Sequence, residues 1–169
     1  YQKYRRQLAI NRSYERGNQW LDPHVLKDMR EIGATPYTYN NIQSMVNAFV
    51  SLQIRSSKRV GYEASSDNPT PIKIAEHVKQ LAYSVQTQNN YVFKSSQKFT
   101  SCLVGGLGWS IFEYLMGKFK YEHVAPEEVI FDPDDKSENL DDSSFVCRVR
   151  YIPLIKARKM FPDYAEDFE

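Results

Sequence analysis

The side chains best suited to metal chemistry in this chain lie in one acidic stretch, which contains Asp132, Asp134, Asp135, Glu138, Asp141 and Asp142. Oxygen-rich loops bind hard cations, and carboxylates that converge on two metal ions are typical of nucleases. Lys136 and Ser137, however, stand where a calcium-binding loop has an oxygen ligand followed by glycine. Carboxylates strung along one loop also lack the rigid strands that a two-metal site needs. We therefore predict a solvated, turn-rich loop, with a metal-dependent nuclease as the alternative.

The remaining reactive residue types form no recognisable constellation. The histidines, His24, His77 and His123, share no metal-ligand spacing. The glycines at 105, 106 and 108 follow a helical pattern and precede an alternating one, the reverse of the strand-loop-helix order that binds phosphate. No serine, cysteine or lysine stands in a recognisable nucleophile context. The sequence therefore predicts no catalytic residue, no metal site and no bound cofactor, so we expect a protein that is not an enzyme.

One charged cluster suits an anionic partner. Near the amino terminus a single acid, Glu15, is surrounded by the basic residues Lys3, Arg5, Arg6, Arg12 and Arg16. The interleaved Tyr1, Tyr4 and Tyr14 would allow some stacking on bases. A small nucleic-acid-binding module is thus a further alternative, although a charge-rich helix is more often a solvated face.

The whole-chain properties restrict the class further. Lys and Arg total 22 against 21 Asp and Glu, which disfavours a domain that grips many phosphates. No apolar run approaches the ~20 residues of a membrane-spanning helix, so we expect no membrane partner. Cys102 and Cys147 are far apart in apolar-periodic surroundings, which predicts buried, reduced thiols. We expect one domain over residues 1–169, cut from a longer protein because the chain starts at Tyr1 without methionine.

Caps and periodicity predict helices at 1–16, 23–33, 40–59, 71–103 (two helices or one kinked helix) and 153–161. Asp22 before Pro23, and Asn40 three residues before Gln43, are the clearest helix starts. The third helix carries an apolar face that predicts Met45, Val46 and Phe49 as core residues. Trp20 lies at the corner between the first two helices, where we expect it to anchor the first helix on the body of the domain.

After Gly105-Gly106 the spacing of the apolar residues changes from a helical pattern to an alternating one. The sequence predicts a strand at 109–116, a two-residue turn at Gly117-Lys118 and a return strand at 119–124. Further strands are predicted at 60–64, 129–131 and 145–151. Because helices precede strands, the predicted class is α+β, with a helical amino-terminal half packed on a small antiparallel sheet.

Several motifs, in their order and spacing, resemble the portal proteins of tailed bacteriophages. They are the arginine-rich helix ending at Gly17-Asn18-Gln19-Trp20, the segments Thr38–Ser51, Val104–Gly108 and Val124–Asp134, and the later Asp141-Asp142-Ser143, Phe145–Ile152 and Phe161-Pro162. The chain is most similar to the branch found in short-tailed phages. The match covers most of the chain, and the resemblance places it in the wing-like α+β body of a portal subunit.

This resemblance implies a ring, typically dodecameric, at one capsid vertex. Terminase would pump double-stranded DNA in through the ring, and the DNA would leave through it into the tail. The protein would also bind capsid and tail components and would hydrolyse nothing. Its location would be the portal vertex of the virion, after a stage in the cytoplasm of an infected or lysogenic host, and the gene could belong to a prophage. These residues alone should be monomeric or only weakly associated, because a ring interface needs a large buried area.

Overall fold

The computed structural model describes residues 2–56, 61–64, 69–132, 134 and 140–166 of the chain. These residues form two compact units, Tyr1–Pro126 and Glu127–Glu169, and the expectation of a single domain stays a prediction. The helices are α1 (Gln2–Glu15), α2 (Pro23–Glu31), α3 (Asn41–Arg55), α4 (Pro69–Gln88), α5 (Tyr91–Gly105) and α6 (Leu154–Met160). The strands are β1 (Trp109–Leu115), β2 (Lys118–Val124), β3 (Val129–Phe131) and β4 (Val146–Arg148). The α+β class is confirmed, with the strands in two separate antiparallel pairs.

Helix α5 is the centre of the first unit, and α1, α3, α4 and β2 all contact it. Leu8 of α1 is only 2% exposed. A Cβ at Gly105 would lie 2.7 Å from Leu8 Cδ1, so the absence of a side chain at Gly105 lets the two helices approach. Asn11 Nδ2 donates to the Val104 carbonyl at 2.9 Å, which gives that terminal carbonyl of α5 a partner.

The helix starts follow the capping residues that the sequence predicts. Asp22 accepts a hydrogen bond from the His24 amide at 2.8 Å, and Asn40 accepts one from the Gln43 amide at 3.2 Å. At the end of α5, Gly106 adopts a φ of 79°, the left-handed conformation that stops a helix. Helix α4 begins at Pro69, two residues before the predicted start at Pro71.

Strands β1 and β2 form the predicted hairpin, but the predicted turn is wrong by one residue. Leu115 pairs with Lys118, so the turn consists of Met116 and Gly117. Both have positive φ, 50° and 77°, as the two central residues of a type I′ turn require. Glycine is common at such positions, whereas the fully exposed Met116 is there despite the steric cost of its side chain.

The second unit pairs β3 with β4, with Val129 opposite Arg148 and Phe131 opposite Val146. The Arg148 Nε donates to Glu128 Oε2 at 2.8 Å, and the Val149 amide donates to the Glu128 carbonyl at 2.6 Å. The last helix follows Pro153 as predicted and ends at Met160, just before Phe161-Pro162.

The predicted core face of α3 is wrong. Met45 is 59% exposed and Phe49 is 50% exposed, while Val46 is half-buried. The helix contacts α5, and the half-buried Val46, Val50 and Gln53 share one side of it. The apolar face is broader than this contact, so its other part stays accessible. Replacing Phe49 with alanine should therefore cost about 2 kcal/mol in the isolated chain, rather than the 3 to 5 of a fully buried ring.

Two smaller predictions also need correction. Cys102 and Cys147 are unpaired, as expected, but both are exposed. Apolar neighbours predicted burial, yet α5 is covered only in part and β4 belongs to a two-stranded sheet that leaves its side chains accessible. The strand predicted at 60–64 is absent from Gly61–Ala64, and Val60 lies outside the described residues.

Candidate functional site

The basic residues of α1 do not all lie together. Successive residues of a helix are about 100° apart, so Arg5, Arg12 and Arg16 follow one flank, whereas Lys3 and Arg6 point in other directions. Arg16 continues the helical hydrogen-bond pattern beyond the end of α1, because its amide donates to the Arg12 carbonyl at 3.0 Å. Arg12 is half-buried and the other four are exposed. The structure thus brings three of the five predicted contact residues to one side.

The tyrosines of this segment differ in their surroundings. Tyr1 lies outside the described residues. Tyr4 is half-buried, and its hydroxyl lies 3.2 Å from where a Cβ of Gly105 would be, so it packs on α5. Tyr14 is 38% exposed. By helix geometry, however, Tyr14 points about 180° away from the flank of Arg5, Arg12 and Arg16, so it is not placed to stack on a base that this flank contacts.

The Gly17–Trp20 and Thr38–Asn40 motifs meet in space. Trp20 Nε1 donates to Thr38 Oγ1 at 3.0 Å, and Asn40 Nδ2 donates to the Glu15 carbonyl at 2.8 Å. A Cβ at Gly17, where φ is 85°, would lie 3.1 Å from Asn40 Nδ2. Asn40 thus joins the end of α1 to the start of α3. Trp20 is half-buried at this junction, and its role as an anchor stays a prediction. These polar side chains fix the angle between α1 and α3.

Asn89, between α4 and α5, holds β2 in place, a role that the sequence analysis missed. Its side chain is buried. Nδ2 donates to the carbonyls of Val85 and Phe119, both at 2.9 Å, and Oδ1 accepts from the Tyr121 amide at 2.8 Å. Lys94 Nζ donates to the Tyr121 carbonyl. The only sequence signal was a pair of asparagines between two helical patterns.

An apolar groove of about 430 Å³ lies between α4 and the hairpin. Val78, Leu81 and Val85 line it on the helix side, and Phe112, Phe119 and Tyr121 line it on the strand side. Phe112 and Phe119 are stacked, with ring centroids 5.4 Å apart. The buried Tyr121 hydroxyl has no hydrogen-bond partner among the described residues. In the sequence, α4 and the hairpin are separate patterns, and neither pattern predicts this groove.

A serine and a histidine also come together across α5 and β2. Ser101 Oγ and His123 Nε2 are 3.0 Å apart, and both side chains are half-buried. A hydroxyl next to an imidazole is one step toward an activated nucleophile, but that activation also needs a group to orient the imidazole and a site for the reacting carbonyl. Here the hydrogen bond connects a helix to a strand. We assign it to the packing of β2.

The acidic loop uses its first carboxylate to organise its own backbone. Asp132 Oδ1 accepts from the Asp134 amide at 3.0 Å, and Oδ2 accepts from the Ser144 amide at 3.2 Å. The hydrogen bonds from the Asp134 amide and from Ser144 lower the pKa of Asp132 below its ordinary value. Asp135 and Glu138 lie outside the described residues, and Asp141 and Asp142 are exposed. Nowhere in the described ranges do three His, Cys, Asp or Glu side chains gather as a metal site would require.

Comparison with known proteins adds one finding. A protein-family model described as phage P22-like portal protein matches residues 1–169. A search of curated proteins gives no match. In the part of the chain that the structure covers, no helix combines the length and the apolar character needed to cross a bilayer.

Proposed function

Because the chain belongs to the family of phage P22-like portal proteins, we propose that it is part of a portal subunit. Such a subunit assembles into a ring at one vertex of the capsid, typically of twelve copies. Double-stranded DNA enters through this ring during packaging, driven by terminase, and leaves through it on ejection. The ring also joins the head to the tail. The observation that carries the proposal is the family match over the full 169 residues.

The local chemistry supports a structural role. Asp22, Asn40, Asn89 and Asp132 are all engaged with backbone groups. Side chains used in this way stabilise helix starts, a hairpin and a loop. A near-neutral net charge also suits a conduit, since tight binding of many phosphates would slow the movement of DNA.

Electron microscopy of the complete gene product tests this proposal directly. We expect closed rings with a central hole, and counting the subunits in class averages gives the stoichiometry. Particles that stay monomeric or dimeric at high protein concentration would contradict it. Capsids assembled without the protein should fail to package DNA, and adding it during assembly should restore packaging.

The metal-dependent nuclease is a distinct alternative with its own test. It requires Asp132 and Asp134 to bind magnesium, whereas Asp132 is engaged with two backbone amides. We expect the purified protein to cleave no DNA in the presence of magnesium. Cleavage that disappears in the Asp132→Ala, Asp134→Ala double variant would replace the portal proposal with an enzymatic one.

A second proposal concerns α1, where Arg5, Arg12 and Arg16 follow one flank. We propose that this flank makes a weak contact with DNA or another anionic partner. Replacing Arg5 and Arg16 with glutamine should flatten the dependence of log affinity on log salt by about 1.8, since each phosphate contact contributes about 0.9. The matched control, glutamine at Lys3 and Arg6, removes two charges from other directions and should change the slope by less than half as much. If the two double variants changed the salt slope equally, the proposed contact through the flank of Arg5, Arg12 and Arg16 would be refuted.

A further inference from the structure

Helix α3 presents an apolar seam that faces solvent in the isolated chain. The seam consists of Ile42, Met45, Phe49 and Leu52, which are 39%, 59%, 50% and 59% exposed. Their spacing of three, four and three residues is the spacing with which one helix packs along another. Together these side chains expose about 400 Å² of largely apolar surface, the size of the largest patch on a typical monomer.

The composition of α3 also indicates burial by a partner. From Asn41 to Ile54 the helix contains no Asp, Glu, Lys or Arg, although most of its residues are exposed. The cores of protein interfaces are depleted in charged residues in the same way, whereas a solvated helix face normally carries them. A partner that covers this seam would turn an exposed apolar helix into an ordinary buried one.

The groove between α4 and the hairpin has the chemistry to receive such a helix. Its walls carry aliphatic side chains on one side and aromatic rings on the other. Leu81 on the helix wall is 56% exposed and Phe112 on the strand wall is 61% exposed. An amphipathic helix that docks in a groove inserts residues at spacings of three and four, which is the spacing of the α3 seam.

We propose that the α3 seam of one subunit docks into the groove between α4 and the β1–β2 hairpin of the next subunit. This inference rests on the proposed ring. The seam and the groove are different surfaces of one chain, so the contact is heterologous. A heterologous contact repeats from copy to copy and gives a ring when its rotation closes. The seam supplies about half of the roughly 800 Å² that each partner buries in a stable interface.

Disulfide cross-linking in the complete gene product tests this contact. Every cysteine of the complete gene product, including Cys102 and Cys147, is first replaced with serine, and Met45→Cys is then combined with Leu81→Cys. After oxidation we expect a ladder of covalent multimers on a non-reducing gel. The control combines Leu81→Cys with Asn47→Cys, which places the α3 thiol outside the seam, and should give no ladder.

The outcomes separate this inference from the proposed function. If the parent forms rings but the Met45 and Leu81 pair gives no ladder, the ring stands and the assigned interface is wrong. Dimers formed by Met45→Cys alone would indicate a symmetric contact between two α3 helices and would also overturn it. If the parent forms no ring at all, both proposals fail.

A charge placed in the seam provides an independent measurement. Phe49→Glu should abolish rings while the circular dichroism spectrum stays that of the parent, since the ring of Phe49 is half exposed. Ser44→Glu adds the same charge to the same helix outside the seam and should leave assembly unchanged. Rings formed equally well by both variants would refute the interface.

Discussion

Asn89 should be among the residues most sensitive to substitution in the first unit. Its side chain covers the outer edge of β2, where the Tyr121 amide and the Phe119 carbonyl point away from β1 and toward the helices. An uncovered edge of this kind leaves backbone groups without partners. Asn89→Ala removes these bonds and adds no side-chain atom that could replace them.

The expected loss of stability follows from the three backbone groups that bond to the Asn89 side chain. The Val85 carbonyl also accepts a hydrogen bond from the Asn89 amide, so it keeps a partner in the variant. The Phe119 carbonyl should lose about 0.5 to 1.5 kcal/mol of net hydrogen bonding, and the unsatisfied Tyr121 amide should cost about 1 to 3 kcal/mol. We therefore expect Asn89→Ala to lower the free energy of unfolding by about 2 to 4 kcal/mol.

Urea unfolding followed by circular dichroism measures this loss, and the melting temperature should fall by about 5 to 15 °C. Asn89→Asp keeps an acceptor for the Tyr121 amide but places a negative oxygen next to the Phe119 carbonyl, so it should destabilise at least as much as alanine. The matched control is Gln88→Ala, since the exposed Gln88 bonds only to Ser84 Oγ at 3.1 Å among the described contacts. A loss of less than about 0.5 kcal/mol for Asn89→Ala would refute the assigned role.

Three further predictions each concern a single residue. Met116→Asn should stabilise the hairpin by about 1 kcal/mol in thermal unfolding, because asparagine tolerates the left-handed conformation better; a lower melting temperature would contradict the assigned turn. Leu8→Ala should cost about 2 to 5 kcal/mol in urea unfolding, against about 0.5 kcal/mol or less for the exposed Gln7→Ala, which loses only a solvent-exposed hydrogen bond to Asn11. At pH values above the ordinary pKa of aspartate, the lowered pKa of Asp132 adds to the free energy of unfolding. This contribution is lost as the pH falls through the pKa of Asp132 in the folded state. NMR titration should give a lowered pKa for Asp132, and an ordinary or raised value would exclude its two hydrogen bonds from backbone amides.

Local signals predicted the element boundaries well where one residue determines the backbone. Asp22 and Asn40 each have a side chain that can satisfy an amide of the first helical turn, so the helix starts could be located from sequence. Gly106 could be identified as a stop because glycine adopts positive φ at low cost. The hairpin was also predictable, but its turn was not, since Met116 is an unusual residue for a left-handed position.

Burial was harder to predict because it depends on what covers a face. The apolar pattern of α3 showed that Met45 and Phe49 prefer burial, but it could not show whether α5 or another molecule covers them. The Asn89 bonds and the Ser101–His123 pair join residues about 20 to 30 positions apart, and single-sequence patterns do not report such contacts. The sequence therefore predicted helices and a hairpin better than it predicted the surfaces between them.

Four polar side chains have a common use in this fold. Asp22 and Asn40 bind amides at helix starts, Asn89 binds the edge of a strand, and Asp132 binds two amides of its loop. Large apolar side chains on α3, α4 and the hairpin remain exposed alongside the charged surface residues. The cores of protein interfaces bury apolar side chains and leave polar groups at the rim. These apolar surfaces are therefore where the proposed assembly would bring neighbouring subunits into contact.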